Sequence, residues 1–497
     1  MINVNKKNKS RNRIFEFLAI FSMAFGLVVG SGIYLKNRSE PGSGGVLDAA
    51  NNNPYLAIVV WIFIGLICTL MMISFLEISS AIDKDDHNTV QSWSAKFINK
   101  KSASMFSIFY VAFYMPILGS LGAMFLVDVL FEQGMQTFAR AAYGVDNSLA
   151  MFKSNHLGWY ITLKIILSSI LLISFQVMNT FTSKPSKLIQ TTFTFVKFIP
   201  LLAVIIGGFA VFFLGNKNGN SFDAAQSDWK VPTFFSTAIP ILFAFDGFIY
   251  ATTLQKDVEH KQVVEPAMLA AIIAVTLFYI IITVSIFIGA NDGDIFNLFD
   301  TVFSKVPALS LIFKLIISST LLTIVNGYTT LIPKTIESAS HEGFVYFGKR
   351  SKTLSHKEAS IIGAIITQIL FFVTIAASLS IQSITAEPSH MIIADSLSST
   401  TVLYAFVIYT VLIFGQVINR KTKKVQVKEV KGAFVTGIIT LCLLLVIIPY
   451  VLYQCLIDVY IQKNVSGMIV SISSFVVLIP IAVWYFINKS LLQKYGE

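Results

Sequence analysis

The chain has 497 residues, of which 55% are hydrophobic and only 13% are charged. A soluble protein of this length would not cover its surface with so few charged side chains. The net charge of +10 would suit a nucleic-acid binder, but the basic residues cluster in alternate connections between apolar runs, which argues against that class. The cysteines all lie inside apolar runs, which excludes a disulfide framework or a cysteine-rich metal site: Cys68, Cys442 and Cys455.

Apolar runs of twenty or more residues recur along the whole chain, which indicates an all-α polytopic membrane protein. Twelve transmembrane helices are predicted, at 15–35, 54–82, 102–131, 157–179, 188–214, 232–254, 266–290, 307–333, 359–381, 400–418, 432–456 and 468–487. One set of alternate connections holds 26 of the 37 Lys and Arg residues and the other set holds 8. The positive-inside rule therefore predicts that both termini lie in the cytoplasm, and the plasma membrane is the expected location.

The first predicted span contains a stretch that weakens its own helix, FGLVVGSGIYL at residues 25–35. Glycine destabilises a helix interior by about 1 kcal/mol relative to alanine, yet three glycines stand here at mid-depth. Close helix packing through small residues would explain Gly26 and Gly30. It would explain neither Gly32 nor the similar interruption in the sixth span.

That second interruption is IPILFAFDGFIY at residues 239–250. Pro240 removes a backbone donor, and a mid-span aspartate such as Asp246 costs about 2.5–3.5 kcal/mol on insertion scales. Irregular backbone persists at membrane depth only where it is buried in protein or lines a wet cavity. Interruptions at corresponding positions of two halves predict a substrate site between inverted repeats.

Two interrupted helices would offer both kinds of peptide group to a ligand. N–H groups of the first break are expected to bind an anion such as a carboxylate, at Gly30, Ser31, Gly32 and Ile33. Carbonyl groups are expected to accept from an ammonium group, at Val28 in the first break and at Phe243, Ala244 and Asp246 beside Gly247 in the second. Such a site suits a zwitterion, and α-amino acids are the obvious candidates.

GSGIY in the first span and FAFDGF in the sixth resemble the amino acid–polyamine–organocation (APC) superfamily of permeases. SFLEISSAI at 74–82 is similar to the end of that family's second helix. LIQTTFTFVKFIPLLAVIIGG at 188–208 is similar to its fifth helix, including a Gln and a mid-helix Lys. NGYTTLIPK followed by SHEGF resembles its eighth helix. The fragments follow the family's order and spacing over the ten-helix core.

This resemblance implies a LeuT-like fold with inverted repeats of five helices at 15–214 and 215–418 and two peripheral helices at 419–487. The tails at 1–14 and 488–497 would be cytoplasmic. The resemblance also implies secondary transport of amino acids by alternating access, with the carboxylate on the Gly-Ser-Gly backbone and the amine on the carbonyl groups named above. Phe243 would cover the bound substrate.

The chain departs from the family near the predicted inner gate. QKDVEHKQ after the sixth helix keeps only Asp257 of a paired acidic motif, and Asp85, Asp86 and His87 replace a Gly-Gly turn. Ile249 stands where some relatives carry an acidic residue, which argues against an arginine-specific exchanger.

Three lysines lie inside predicted spans. Lys164 and Lys314 are near the outer ends of their spans, so their ammonium groups are expected to reach the interface. Lys197 lies about nine residues from the inner end of the fifth span, roughly 14 Å deep. It is expected to face the bundle interior and either to tether carbonyl groups of the first helix or to carry a proton. The resemblance supports the proton, because Lys197 would replace the cation of sodium-coupled transporters of this architecture.

Other polar residues of the spans are candidates for the transport pathway or for the pocket wall. Glu77, at the inner end of the second helix, is expected to make a structural hydrogen bond or ion pair and is retained as a candidate for the transport pathway. Asn326 in the eighth helix is expected to line the ion or substrate route. Asp128 would stand in a wet outer vestibule, and Tyr114 and Tyr404 are candidates for the pocket wall.

Two mechanisms stay open at this point: proton-coupled symport, which Lys197 favours, and obligate exchange of amino acids. A receptor without transport is a remoter alternative. No enzymatic activity, cofactor or metal site is expected, because metal-ligand and nucleophile motifs are missing from the sequence. The expected partners are an amino acid, a proton and the lipid bilayer, and no nucleic acid. The sequence does not distinguish a monomer from a dimer.

Overall fold

The structure is a computed structural model that describes residues 2–30, 32–38, 45–82, 88–137, 148–182, 184–215, 219–223, 229–250, 252, 262–348, 354–385, 392–463 and 465–495. All regular elements within these ranges are helical. Five residues singled out by the sequence lie outside the described ranges: Ser31, Asp85, Asp86, His87 and Asp257.

The helices are numbered here in chain order. They are α1 Ile2–Val28, α2 Gly32–Lys36, α3 Val46–Ala49, α4 Pro54–Ser79, α5 Val90–Phe97, α6 Lys100–Phe109, α7 Met115–Asp128, α8 Ser148–Phe181, α9 Lys184–Val196, α10 Phe198–Phe213, α11 Val231–Phe245, α12 Val264–Gly289, α13 Ile295–Val302, α14 Pro307–His341, α15 His356–Thr385, α16 Ile392–Thr422, α17 Ala433–Tyr453, α18 Val459–Ile461 and α19 Val465–Tyr495. Wider π-helical turns join α6 to α7 at Tyr110–Tyr114, follow α7 at Val129–Gly134 and follow α17 at Gln454–Asp458.

Eleven helical segments of the described chain are long and apolar enough to cross a membrane. They coincide with the second to twelfth predicted spans and make the protein a multi-pass membrane protein. The first predicted span is divided between α1 and α2, and the fifth is interrupted at Lys197, between α9 and α10.

Helix α12 organises one part of the bundle, because it packs against α1, α4 and α10. The last of these contacts depends on Gly208 of α10. A Cβ added there would lie 2.1 Å from the carbonyl oxygen of Ser285 on α12, so only glycine permits this approach. In lipid, helices gain no hydrophobic free energy by associating, so small residues stabilise the contact by allowing close van der Waals packing. Helix α7, whose side chains are buried along its whole length, packs against α14.

The prediction that Lys164 and Lys314 reach the interface is wrong. Lys164 is 3% exposed, and its Nζ lies 2.7 Å from Asp128 Oδ1 and 2.8 Å from Glu132 Oε1. Lys314 is 2% exposed and pairs with Asp300 at 2.9 Å. Asp128 is likewise buried in an ion pair and does not stand in a wet vestibule. Carboxylates from neighbouring elements compensate these ammonium groups, so their side chains need not reach water.

Candidate functional site

The first predicted span breaks where its glycines stand. Helix α1 ends at Val28, and α2 begins at Gly32. A Cβ added to Gly32 would lie 2.7 Å from Ala244 Cα, because α2 crosses directly over the backbone of α11. Gly32 therefore brings the backbone of the first break against the sixth span.

The sixth span breaks at its Asp-Gly pair. Helix α11 ends at Phe245, and Asp246 leaves the helical conformation with φ −55° and ψ 145°. Gly247 follows with φ +91°, a value that favours glycine, and a short turn leads on to Tyr250. Both interruptions that the sequence predicts are therefore present in the backbone.

A cavity of about 190 Å³ lies between the two breaks. It is lined by eight of the residues that the sequence predicted for the site: Val28, Gly30, Gly32, Lys197, Phe243, Ala244, Asp246 and Gly247. Ile33, whose peptide N–H was the expected donor, is not among the lining residues, and its side chain is fully buried in the apolar core.

The rest of the wall comes from residues that sequence reasoning did not assign. It includes Leu118, Leu121 and Gly122 of α7, and Thr323, Ile324, Gly327, Tyr328 and Leu331 of α14. Gln190 of α9 also reaches the cavity. These residues have no local signature in the sequence, because apolar and small side chains face lipid and protein alike in such helices.

Tyr279 of α12 links the two breaks. Its hydroxyl lies 2.8 Å from the carbonyl oxygen of Val28 and 3.2 Å from that of Ala244, so its proton is shared between them. Both carbonyls were predicted to accept from a substrate amine. Each carbonyl oxygen has a second lone pair, so the hydroxyl and a ligand can bind the same oxygen.

Lys197 occupies the interruption between α9 and α10. Its Nζ donates to the carbonyl oxygen of Gly26 at 2.5 Å, and its own carbonyl accepts from the Tyr34 hydroxyl at 2.7 Å. The side chain is 5% exposed, and no carboxylate of the described chain forms an ion pair with it. The fifth span is thus hydrogen-bonded to both halves of the first, as the tether prediction requires.

Asp246 contacts the third span at a widened turn. Its Oδ2 accepts a hydrogen bond from the Tyr114 hydroxyl at 2.5 Å, and Tyr114 is the last residue of the π-helical turn at Tyr110–Tyr114. Such turns often occur at functional sites, because they reorient one side chain within a helix. Neither candidate tyrosine is among the residues that line the cavity: Tyr114 reaches it only through Asp246, and Tyr404 does not contact it.

Buried charges close the predicted outer side of the cavity. Phe243 lies under the Lys36 ammonium, whose Nζ is 4.6 Å from the ring centroid. Lys36, at the end of α2, is fully buried and pairs with Asp395 of α16 at 2.6 Å, with Ser399 at 3.2 Å. On the predicted inner side, the cavity extends to Gly26 and Gln190. The structure therefore describes a conformation that is closed toward the predicted outside.

A second ion-pair network fixes the chain after α2. Arg38 is 3% exposed, lies 3.5 Å from Asp128 and stands over the rings of Phe125 and Phe296. Because Asp128 also pairs with Lys164, the third and fourth spans both take part in closing this side.

We expect Asp395→Asn to open the predicted outer side. Removing one member of a buried ion pair costs about 3–5 kcal/mol, because the other charge stays uncompensated. Leu35 of α2 lines the cavity and is buried. A Leu35→Cys probe in a variant without the three native cysteines would then react at least about tenfold faster with a membrane-impermeant thiol reagent added outside. The control is Asp300→Asn, which breaks the Lys314 pair away from α2. Equal labelling rates with and without Asp395→Asn would contradict the closure.

Glu77 lies apart from the cavity, in a structural ion pair. Its buried carboxylate accepts from the Arg420 guanidinium, from Gln416 Nε2 at 2.8 Å and from the Val430 backbone N–H at 3.1 Å. These bonds attach the connection after α16 to the end of α4.

Asn326 lies one contact away from the cavity. Its Nδ2 donates to the Ser186 carbonyl at 3.0 Å and to Gln190 Oε1 at 3.3 Å, and its Oδ1 accepts from the Ser186 hydroxyl at 2.8 Å. Because Gln190 itself lines the cavity, Asn326 holds a wall residue in place and is not part of the wall.

The chain is similar to known proteins over most of its length. The family model described as amino acid permease matches residues 15–479. An uncharacterized protein of Mycoplasma pneumoniae is 23% identical over 481 residues, which cover 86% of this chain and 81% of the relative. The serine/threonine exchanger SteT of Bacillus subtilis is 22% identical over 415 residues, which cover 82% of this chain and 83% of the relative. The chain belongs to the amino acid permease family of the APC superfamily.

Proposed function

We propose that the protein is a secondary active transporter that moves amino acids across the plasma membrane by alternating access. The observation that carries this proposal is the cavity of about 190 Å³ between two interrupted helices. Family membership supports an amino acid substrate. In this proposal twelve spans cross the membrane, both termini are cytoplasmic, and residues 15–214 and 215–418 form the two inverted repeats.

The two poles of the substrate bind to the two breaks. The carboxylate accepts from peptide N–H groups between Gly30 and Ile33. These groups are available because the N–H groups in the first turn of a helix have no carbonyl partner within that helix. The ammonium group donates to carbonyl oxygens of Val28, Phe243, Ala244 and Asp246. Phe243 covers the substrate on the outer side, and the Gly247 turn leaves the carbonyl groups before it accessible.

Lys197 couples this transport to protons. Its ammonium group is buried against the cavity and bonds to Gly26 in the inner half of the first span. Loss of the proton would remove the charge that attracts this carbonyl oxygen and would release α1 from α9 and α10. Proton binding and the position of α1 are linked in this proposal, which therefore describes a symporter.

Obligate exchange is the second candidate. The observation in its favour is the Bacillus subtilis relative, whose name describes an exchanger. In that case Lys197 keeps its proton throughout the cycle and serves only to tether α1.

Uptake into proteoliposomes distinguishes the two. The purified protein is tested with the twenty amino acids and with polyamines, in empty and in preloaded vesicles, with and without an acidic outside. Accumulation in empty vesicles that requires the acidic outside supports symport. Uptake that requires preloading and ignores the pH gradient supports exchange. No amino acid uptake under any of these conditions would contradict the proposed function.

A further inference from the structure

The Asp246 carboxylate can accept more hydrogen bonds than the described part of the chain donates to it. Its Oδ2 accepts from Tyr114, the N–H of the adjoining Gly247 lies against the same carboxylate, and its Oδ1 is buried and accepts no side-chain hydrogen bond from the described part of the chain. A buried acceptor without a donor costs free energy, and an ionisable group inside a membrane bundle is costly in itself. Such a group points to a ligand that supplies the missing donor.

The position of this carboxylate separates it from the groups that would bind the two poles of the substrate. Val28 and Ala244 present their carbonyl oxygens beside Tyr279 of α12. The carboxylate instead turns to Tyr114 on the third span, whose ring contacts that of Tyr328 on α14 edge to face at 6.4 Å.

Helices α7 and α14 form the part of the cavity wall that does not belong to the two breaks. Gly327 leaves room along this wall, because no atom of the described chain lies within 4 Å of a Cβ added there. Gly122 lets α7 approach Ile324 of α14 closely, and Tyr328 and Thr323 add hydroxyl groups to the wall. A substrate held by its carboxylate and ammonium groups at the breaks would therefore project its side chain toward α7 and α14, where the Asp246 carboxylate lies.

The size of the cavity favours a small side chain. An apolar cavity of about 150 Å³ accommodates benzene, so about 190 Å³ accommodates a ligand of roughly seven or eight non-hydrogen atoms. Serine and threonine are of this size, whereas lysine and arginine are larger.

We propose that the Asp246 carboxylate is a specificity determinant that selects small amino acids whose side chain ends in a hydrogen-bond donor, either a hydroxyl or a short ammonium group. This inference rests on the proposed function, since it assumes that an amino acid occupies the cavity. The donor completes the carboxylate's hydrogen bonding, whereas a methyl group in its place leaves the buried oxygen unpaired. Sites built in this way reject the analogue that lacks the donor.

Competition against a transported amino acid tests the inference with isosteric pairs. Serine is compared with 2-aminobutyrate, threonine with valine, and 2,4-diaminobutyrate with norvaline. Hydrogen bonds to charged groups imply about a 10- to 100-fold preference for the donor in at least one pair of the wild-type protein. In Asp246→Ala that preference is expected to fall to about one, because the donor compound loses the bond and its isostere does not.

Asp246→Asn separates the hydroxyl from the ammonium group. The amide keeps an acceptor oxygen and removes the charge, so a preference for serine or threonine is expected to be reduced but retained, whereas a preference for diaminobutyrate is expected to be lost. If Asp246→Ala does not fold, Asp246→Asn still tests the inference. Thermal unfolding of both variants shows whether each is folded. Tyr404→Phe is the control, because it removes a buried hydroxyl away from the cavity and is expected to leave every ratio unchanged.

Two results would overturn the inference. One is a wild-type ratio near one for all three pairs. The other is an equal loss for both members of each pair in the Asp246 variants, which would mean that the carboxylate binds the α-ammonium group. Failure of the proposed function is distinguishable from both, since no amino acid would then compete or be transported by the wild-type protein.

Discussion

Lys197→Met is expected to abolish the accumulation of amino acids that an acidic outside drives. Methionine is close to lysine in length and cannot bind a proton, so α1 would lose its charge-dependent bond to α9 and α10. With one pH unit across the membrane, one-to-one symport gives an accumulation ratio of about ten, and the variant should fall to about one. Exchange into preloaded vesicles should persist in part, because the substrate-binding backbone is unchanged.

The matched control is Lys334→Met, which removes the same charge from an exposed position of α14. Its accumulation ratio should equal that of the wild type. A Lys197→Met protein that still accumulates substrate about tenfold would show that Lys197 is a tether only.

Gly32→Ala is expected to lower uptake about 100-fold and to lower the unfolding temperature. The added Cβ would lie 2.7 Å from Ala244 Cα and 3.3 Å from Ala244 Cβ, and backbone atoms cannot turn aside as a flexible side chain does. The breaks must separate, and overpacking of this kind costs about 1–3 kcal/mol. A displacement of about 1 Å at a binding site is enough for a 100-fold loss.

Gly158→Ala in α8 is the control, because no atom of the described chain lies within 4 Å of its added Cβ. It should leave uptake unchanged and stability equal or slightly higher, since alanine is the better helix former. Wild-type uptake by Gly32→Ala would show that the breaks need not touch.

The two breaks could be predicted because their causes are local. Gly32 and the Asp246–Gly247 pair disfavour a continuous helix within an apolar span. This local conflict is visible in a window of ten residues. The burial of Lys197 could be predicted in the same way, since it follows from the distance between this residue and the ends of its span. Its contact with Gly26 was among the expected alternatives, because an ammonium at that depth needs an acceptor.

Contacts between distant parts of the chain could not be predicted in the same way. Tyr279 stands in an ordinary apolar run, and only the fold brings its hydroxyl to Val28, 251 residues away. Lys164 was assigned to the interface from its distance to the span end, but Asp128 and Glu132 approach it from the third span. For the same reason the residues of α7 and α14 that line the cavity could not be predicted from the sequence around them.

The central claim is that the two breaks together bind both poles of a zwitterion. Its most direct test is the affinity of the purified protein for the best transported amino acid, for the amine left by removing its carboxylate, and for the acid left by removing its amine. We expect the intact amino acid to bind at least about 100-fold more tightly than either one-ended analogue, because each charged pole contributes several hydrogen bonds. Equal affinity for the amino acid and one of its analogues would contradict the account.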